Sequence, residues 1–255
     1  SLVSADMPFA IIRRAAHLAL LLLALPLAAV GCAQQPRNHS DADVQIDHEM
    51  SQSMGQGAHL TLTPTRPPSG ADSVRAAAVA DMLRRAIARY ADVRLAEADG
   101  FRRFAPRLKN QAVFHYTRWS RAVEAVVAFD PAKPTSLLYR QEPDGSLRLI
   151  GAMYTAPQRA TLDELNRRVP LSIARWHLHS NICIPPLGQR ERWREQRDGR
   201  PLFGPASSIT TREACDAVGG RFLPHLFGWM VHANLVGADD PAAIWAAPHE
   251  HRHPS

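Results

Sequence analysis

Lysine is nearly absent: of 30 basic residues only Lys109 and Lys133 are lysine, and the rest are arginine. The formal charge of +6 therefore reads as an Arg-rich, Ala-rich composition, and no nucleic-acid partner is expected from it. Cysteine is scarce as well, with three in 255 residues. None lies in a C-x-x-C pair, which excludes a thioredoxin-like redox motif. Neither a G-x-S-x-G element nor a glycine-rich phosphate loop occurs. The strongly apolar run Ala15–Val30 contains His17 and Pro26 and falls short of the ~20 residues of a membrane span. A polytopic membrane protein is thereby excluded. What is present, 45% apolar residues with five Trp, eight Phe and four Tyr, suffices for a globular core.

Arg13 and Arg14 precede the apolar run, which ends in Ala29-Val30-Gly31-Cys32. A positive segment, a short apolar segment and small residues before a cleavage point are the parts of a secretory signal, expected here over 1–31. The last four residues resemble a bacterial lipobox, which implies lipidation of Cys32. Ala29 stands where that pattern prefers Leu, so plain secretion stays open. Ser1–Asp6 read as an upstream extension, with Met7 as the start. The expected location is the cell envelope, on the periplasmic side, with the membrane reached through the lipid anchor alone. Cys183 and Cys215 then remain as an even pair in an oxidising compartment and read as one disulfide.

Residues 32–70 are rich in Gln, Ser, Asp, Pro and Gly and read as a disordered tether. His39, His48, Met50, Met54 and His59 in it have a spacing that can catch copper, although a disordered linker with ordinary His and Met is the preferred reading. A single α+β domain is expected over 71–240. Asp72 to Ala98 reads as one long helix, with Val79, Met82, Leu83, Ala86, Ile87, Tyr90 and Val93 at spacings of three and four. Ala122–Ala128 reads as a shorter helix. Ser136–Arg140 and Ser146–Met153 read as strands around the turn Glu142-Pro143-Asp144-Gly145. Thr161-Leu162-Asp163-Glu164 is a capping box. Ile173–Ile184 and Trp229–Val236 read as strands, Gly188–Pro201 as a solvated loop, and Thr211–Ala217 as a short helix. Residues 241–255 read as a polar, His-rich tail. The expected fold is a long N-terminal helix followed by an antiparallel sheet curled into a small barrel or sandwich.

Two of the strands carry one pattern. Trp176-His177-Leu178-His179-Ser180-Asn181 and Trp229-Met230-Val231-His232-Ala233-Asn234 both read W-x-x-H-x-N. Strand alternation places Trp176, Leu178 and Ile182, and likewise Trp229, Val231 and Leu235, on an apolar face. The opposite face receives His177, His179 and Asn181 from one strand and Met230, His232 and Asn234 from the other. Two histidines at i and i+2 lie about 6–7 Å apart and point the same way, so both can reach one ion at about 2.0–2.1 Å. His232 supplies a third nitrogen if its strand is a neighbour. The asparagines can orient the rings by hydrogen bonds. A solvated polar face is the plain alternative.

The stretches Ala98-Asp99-Gly100-Phe101, Val113-Phe114-His115-Tyr116, Phe129-Asp130-Pro131 with Pro134 and Leu137-Leu138-Tyr139, and Leu147–Tyr154 resemble a family of secreted bacterial proteins of unknown function. The resemblance covers Asp72 to Val236 and implies that His115 belongs with the later histidines. Two positions depart from that pattern. Thr117-Arg118 follows Tyr116 where the family tends to Asn, and Met153 stands where an acidic residue is frequent. The second puts a carboxylate ligand in doubt, while a thioether suits copper.

Three functions are open on these residues. A periplasmic lipoprotein could hold copper or zinc through His115, His177, His179 and His232, with Asn181, Asn234 and Met153 supporting the set. A cupin-like metal enzyme could hold the ion with three histidines and leave a position open. An envelope structural domain would use the face without metal. His249-Glu250-His251-Arg252-His253 matches H-E-x-x-H in form only, since Pro248 and Pro254 bracket it. His225 is left unassigned. Metal binding is the reading carried forward.

Overall fold

The computed structural model describes residues 57–104, 106 and 113–246. The signal expected over 1–31, the expected lipidation site Cys32, His39, His48, Met50, Met54 and the stretch 249–253 lie outside the described residues.

Seven strands form one antiparallel sheet. They are β1 (Leu60–Leu62), β2 (Arg102–Arg103), β3 (Val113–Thr117), β4 (Ser136–Gln141), β5 (Leu147–Ala156), β6 (His177–Ile184) and β9 (Arg221–Asn234), in the order β1-β6-β9-β5-β4-β3-β2. A separate two-residue ladder joins β7 (Gln196–Arg197) to β8 (Arg200–Pro201). β1 and β2 are the two edges and do not pair, so the sheet stays open where a closed barrel or a second sheet was expected. Helices take the place of that second layer. The core face carries Phe114, Tyr116, Leu137, Tyr139, Ala152, Tyr154, Trp176, Val231 and Ala233, which pack with Ala76, Val79, Ala80, Leu83 and Ile87 of α1 (Asp72–Ile87). Full burial of the larger of these, such as Phe114, Leu137, Leu83 and Ile87, contributes roughly 1.5–3 kcal/mol each.

The expected continuous helix over 72–98 is divided. α1 ends at Ile87, a 3-10 turn covers Ala88–Ala91, and α2 (Val93–Ala98) starts afresh. The Asp92 carboxylate caps the new start by accepting from the Arg94 amide at 3.0 Å. A capping carboxylate offers the backbone an alternative to the helical ladder. Apolar spacing runs on through the break and cannot reveal it. α3 (Trp119–Val127) agrees with the expected second helix, and α4 (Leu162–Arg168) begins with the full Thr161/Glu164 capping box. β4 and β5 form the expected hairpin, with Gly145 at φ +84° in its turn. α5 (Arg212–Ala217) is capped by Thr211.

Both ends of the domain reach further than composition indicates. His59 and β1 fall in the stretch read as tether, yet His59 is buried and its Nε2 donates to the Ser207 carbonyl at 2.6 Å. Leu60–Leu62 pair with His177–His179, and the Thr63 amide donates to the Trp176 carbonyl at 2.8 Å. At the other end, Pro241–Trp245, read as the start of a polar tail, forms α6. Its Ile244 and Trp245 are buried, and Trp245 Nε1 donates to the Ala76 carbonyl at 3.1 Å. Two apolar residues sufficed to dock a segment whose average composition is polar.

β6 begins at His177 rather than Ile173, and β9 begins at Arg221, well before Trp229. Gly228 lies where β9 loses its alternation, and the ladder with β6 shifts register between His177 and His179. His177 pairs with Met230 but His179 with Leu226, so three residues, Phe227, Gly228 and Trp229, stand opposite Leu178 alone in a bulge. Phe227 sits at φ +64° in that bulge, a conformation rare for a bulky side chain. Cys183 at the other end of β6 is disulfide-bonded to Cys215 of α5, with Cα atoms 5.6 Å apart. The bond lies in a small core with Leu202, Phe203 and Ile209.

Candidate functional site

The face of the sheet opposite the helices is mixed. Val113, Leu138, Ile150, Met153 and Met230 form a small apolar cluster on it, and the histidines stand beside them. On β3, Phe114 and Tyr116 point into the main core, so alternation sends His115 to this second face. On β9, Val231 and Ala233 do the same for His232, and Trp176 ahead of β6 does so for His177. Cross-strand register agrees: His177 pairs with Met230, and His232 with Met153.

The four predicted imidazoles are brought together. His115 Nε2 and His232 Nε2 are 3.5 Å apart, although β4 and β5 separate their strands. Flat neighbouring strands are spaced about 4.8 Å, so side chains three strands apart meet only because this face is concave. The His177 ring centroid lies 5.1 Å from that of His232 and 5.7 Å from that of His179, and the His115 and His232 centroids are 5.5 Å apart. Among the described residues, however, no three His, Cys, Asp or Glu side chains already stand as a ligand set around one point.

Burial sets the charge of the cluster. It pushes the His115 imidazolium down to about 4, with the nearby His179 adding to the effect. His232 is held well below its ordinary value by burial first, and then by His177, His115 and His179. His179 is lowered by burial and by His59. These rings are neutral at pH 7, and a neutral imidazole keeps one nitrogen lone pair free. The buried Nδ1 atoms of His179 and His232 have no hydrogen-bond partner among the described residues. A buried nitrogen without a partner is costly, and only a few per protein are tolerated.

The supporting residues are placed differently. Met153 is buried and neighbours His232 through the β5–β9 ladder. Asn234 Oδ1 accepts from the Val236 amide at 3.1 Å, at the end of β9. Asn181 departs from its expected place beside the rings: it lies at φ +55°, and its Nδ2 donates to the Ala58 carbonyl at 2.8 Å. The left-handed backbone at this position breaks strand alternation, so Asn181 ties down the segment before β1. Met230 belongs with the cluster more closely than either asparagine, and its position two residues before His232 was the signal for it. His59, which acts on His179, reads from the sequence with the linker His and Met residues, because it precedes the strands.

Comparison with known proteins adds no relative: no family, curated protein or solved structure matches this chain.

Proposed function

We propose that this chain is a cell-envelope lipoprotein, lipidated at Cys32, that binds copper or zinc through His115, His177, His179 and His232. The observation that carries the reading is the 3.5 Å approach of His115 Nε2 to His232 Nε2 across two intervening strands. Two nitrogens on one tetrahedral ion, each at about 2.0–2.1 Å, are about 3.3 Å apart. A pair of buried neutral imidazoles at nearly that distance gains by sharing a cation. His177 and His179 come into the same set by rotation of their rings, which the free Nδ1 of His179 would reward. Among the described residues, the groups that shift His115, His179 and His232 are other imidazoles. That supports holding a metal over acid–base chemistry at this face. Met153 and Met230 add thioethers next to His232 and His177, which suits copper.

The test is elemental analysis of the full chain, purified without a histidine tag and exposed to copper or zinc before desalting. Stoichiometric metal is expected in the wild type and none in His177→Ala/His179→Ala, with the far-ultraviolet circular dichroism of the two unchanged. Metal retained by the double variant overturns the assignment of residues. A wild type that takes up neither ion overturns metal binding and leaves a purely structural role for the face.

A further inference from the structure

α3 faces the wrong way for a core helix. Trp119, Val123, Val126 and Val127 recur at helical spacing along one stripe, and they are 57, 69, 49 and 88% exposed. No residue of the helix is fully buried, while Arg121, Ala122 and Ala125 take its more sheltered side. The stripe continues beyond the helix. The Trp119 ring meets Phe104 and Phe227, each at 6.3 Å between centroids, and those two rings meet at 5.9 Å. Both phenylalanines are also exposed. Phe104 follows β2 and Phe227 sits in the β9 bulge, so three separate segments contribute to one apolar patch. At Phe227 the backbone holds a left-handed conformation unusual for an aromatic residue, and the result is a ring presented to solvent.

The charges around the patch have one net sign. Arg102 donates only to carbonyls, those of Glu97 and Phe101, and Arg118 donates to the Ser120 hydroxyl. Among the described residues neither enters an ion pair. The acidic groups nearest the stripe are already matched: Glu124 by Arg121 at 3.0 Å and Lys133 at 3.7 Å, and Asp130 by Lys133 at 3.6 Å. An exposed apolar patch of this extent on a soluble domain marks a binding face. Aromatic rings and valines on one side of a short helix, bordered by arginines without acidic partners, match the interface of an anionic bilayer. There the rings enter the acyl boundary while guanidinium groups meet headgroup phosphates.

We propose that Phe104, Trp119, Val123, Val126, Val127 and Phe227 form a membrane-docking face that seats α3 in the surface of an anionic bilayer. The proposal does not rest on metal binding, although the patch adjoins the histidine face: the Phe104 amide donates to the His115 carbonyl at 2.7 Å, and Phe227 lies in the bulge between the partners of His177 and His179. It does not require the lipid at Cys32 either, although such an anchor would favour it. The 24 residues from Ala33 to Gln56 span at most about 80 Å, and tethering within that reach raises the effective concentration of a weak contact.

The test uses the full chain and vesicles of equimolar phosphatidylglycerol and phosphatidylcholine with brominated acyl chains. The Trp119 signal is the difference in emission between the wild type and Trp119→Phe. A blue shift and quenching of that signal are expected, both reduced in high salt and on phosphatidylcholine alone. The triple variant Val123→Ser/Val126→Ser/Val127→Ser should lose the quenching, and since it alters only exposed side chains it should keep its near-ultraviolet circular dichroism. Phe227→Gly, a residue suited to the left-handed backbone, should also lower the quenching and serves as the second variant. Unquenched Trp119 in vesicle-bound chain overturns the proposal, as does equal quenching in the triple variant. Shielding of Trp119 by an added protein with none from lipid overturns it in favour of a protein interface.

Discussion

Gly151 shows how tightly the second face is constrained at single positions. A Cβ there would lie 2.0 Å from the Ala233 carbonyl oxygen, a backbone atom that cannot swing aside. Gly151→Ala must push β5 from β9, and with them the pairing of Met153 with His232. A loss of more than ~2 kcal/mol is expected, in the range of overpacking and strain effects, read as a lowered urea midpoint. The cluster itself predicts a pH effect in the metal-free protein. Unfolded, His115 takes up a proton near the ordinary 6.5, whereas in the fold it does so only at about 4. Its contribution to stability is therefore whole above pH 6.5 and is lost as pH falls from there toward 4. Urea unfolding at pH 7.5 and at pH 4.5 checks this: the midpoint should drop at the lower pH, and His115→Gln should flatten the dependence.

Among the elements, the excursion between β6 and β9 depends most on a covalent link. The Cys183–Cys215 bond closes a loop with a sequence separation of 32 residues and joins α5 to the end of β6. Chain-entropy reasoning assigns it ~3–4 kcal/mol. Gly220 is packed against both sulfurs, where a Cβ would come within 2.5 Å of one and 2.8 Å of the other. Cys183→Ala/Cys215→Ala should accordingly lower the denaturation free energy by about that amount. Far less change is expected in the histidine cluster, which lies toward the opposite end of β6. Chemical denaturation with and without reductant measures the first effect, and the metal content of the double variant measures the second.

At the scale of the whole molecule, the open sheet is stabilised by helices on one face and holds the buried histidine cluster on the other. α6 is part of that support: Trp245 stacks on Tyr154 at 6.2 Å and is hydrogen-bonded to α1. Trp245→Ala should cost about 3–5 kcal/mol, the usual range for emptying a large aromatic site, seen as a lower melting temperature. Metal should act in the other direction. An ion that binds only the folded chain stabilises it by about 2.7 kcal/mol when present at a hundred times its dissociation constant, so the melting temperature should rise with copper or zinc. In His177→Ala/His179→Ala that rise should vanish.

The division between what residues dictate and what the fold decides is visible in particular places. Period-2 alternation around Trp176 and Leu178, and around Trp229 and Val231, was enough to place His177, His179 and His232 on a common face, because side-chain direction in a strand is a local property; His115 joined them only as what the family resemblance implies. Turn and cap chemistry at Glu142–Gly145 and Thr161–Glu164 was local in the same sense. The disulfide followed from there being two cysteines left to pair. The break after Ile87, the burial of His59 and Trp245, the open edges of the sheet and the left-handed Asn181 and Phe227 were not legible, since each depends on which distant segment arrives beside it. Sequence alone thus determined which histidines could point together. Only tertiary structure, by curving the sheet until β3 faces β9, decided that two of their nitrogens come within 3.5 Å, because curvature is a sum over all the strands and belongs to no single one.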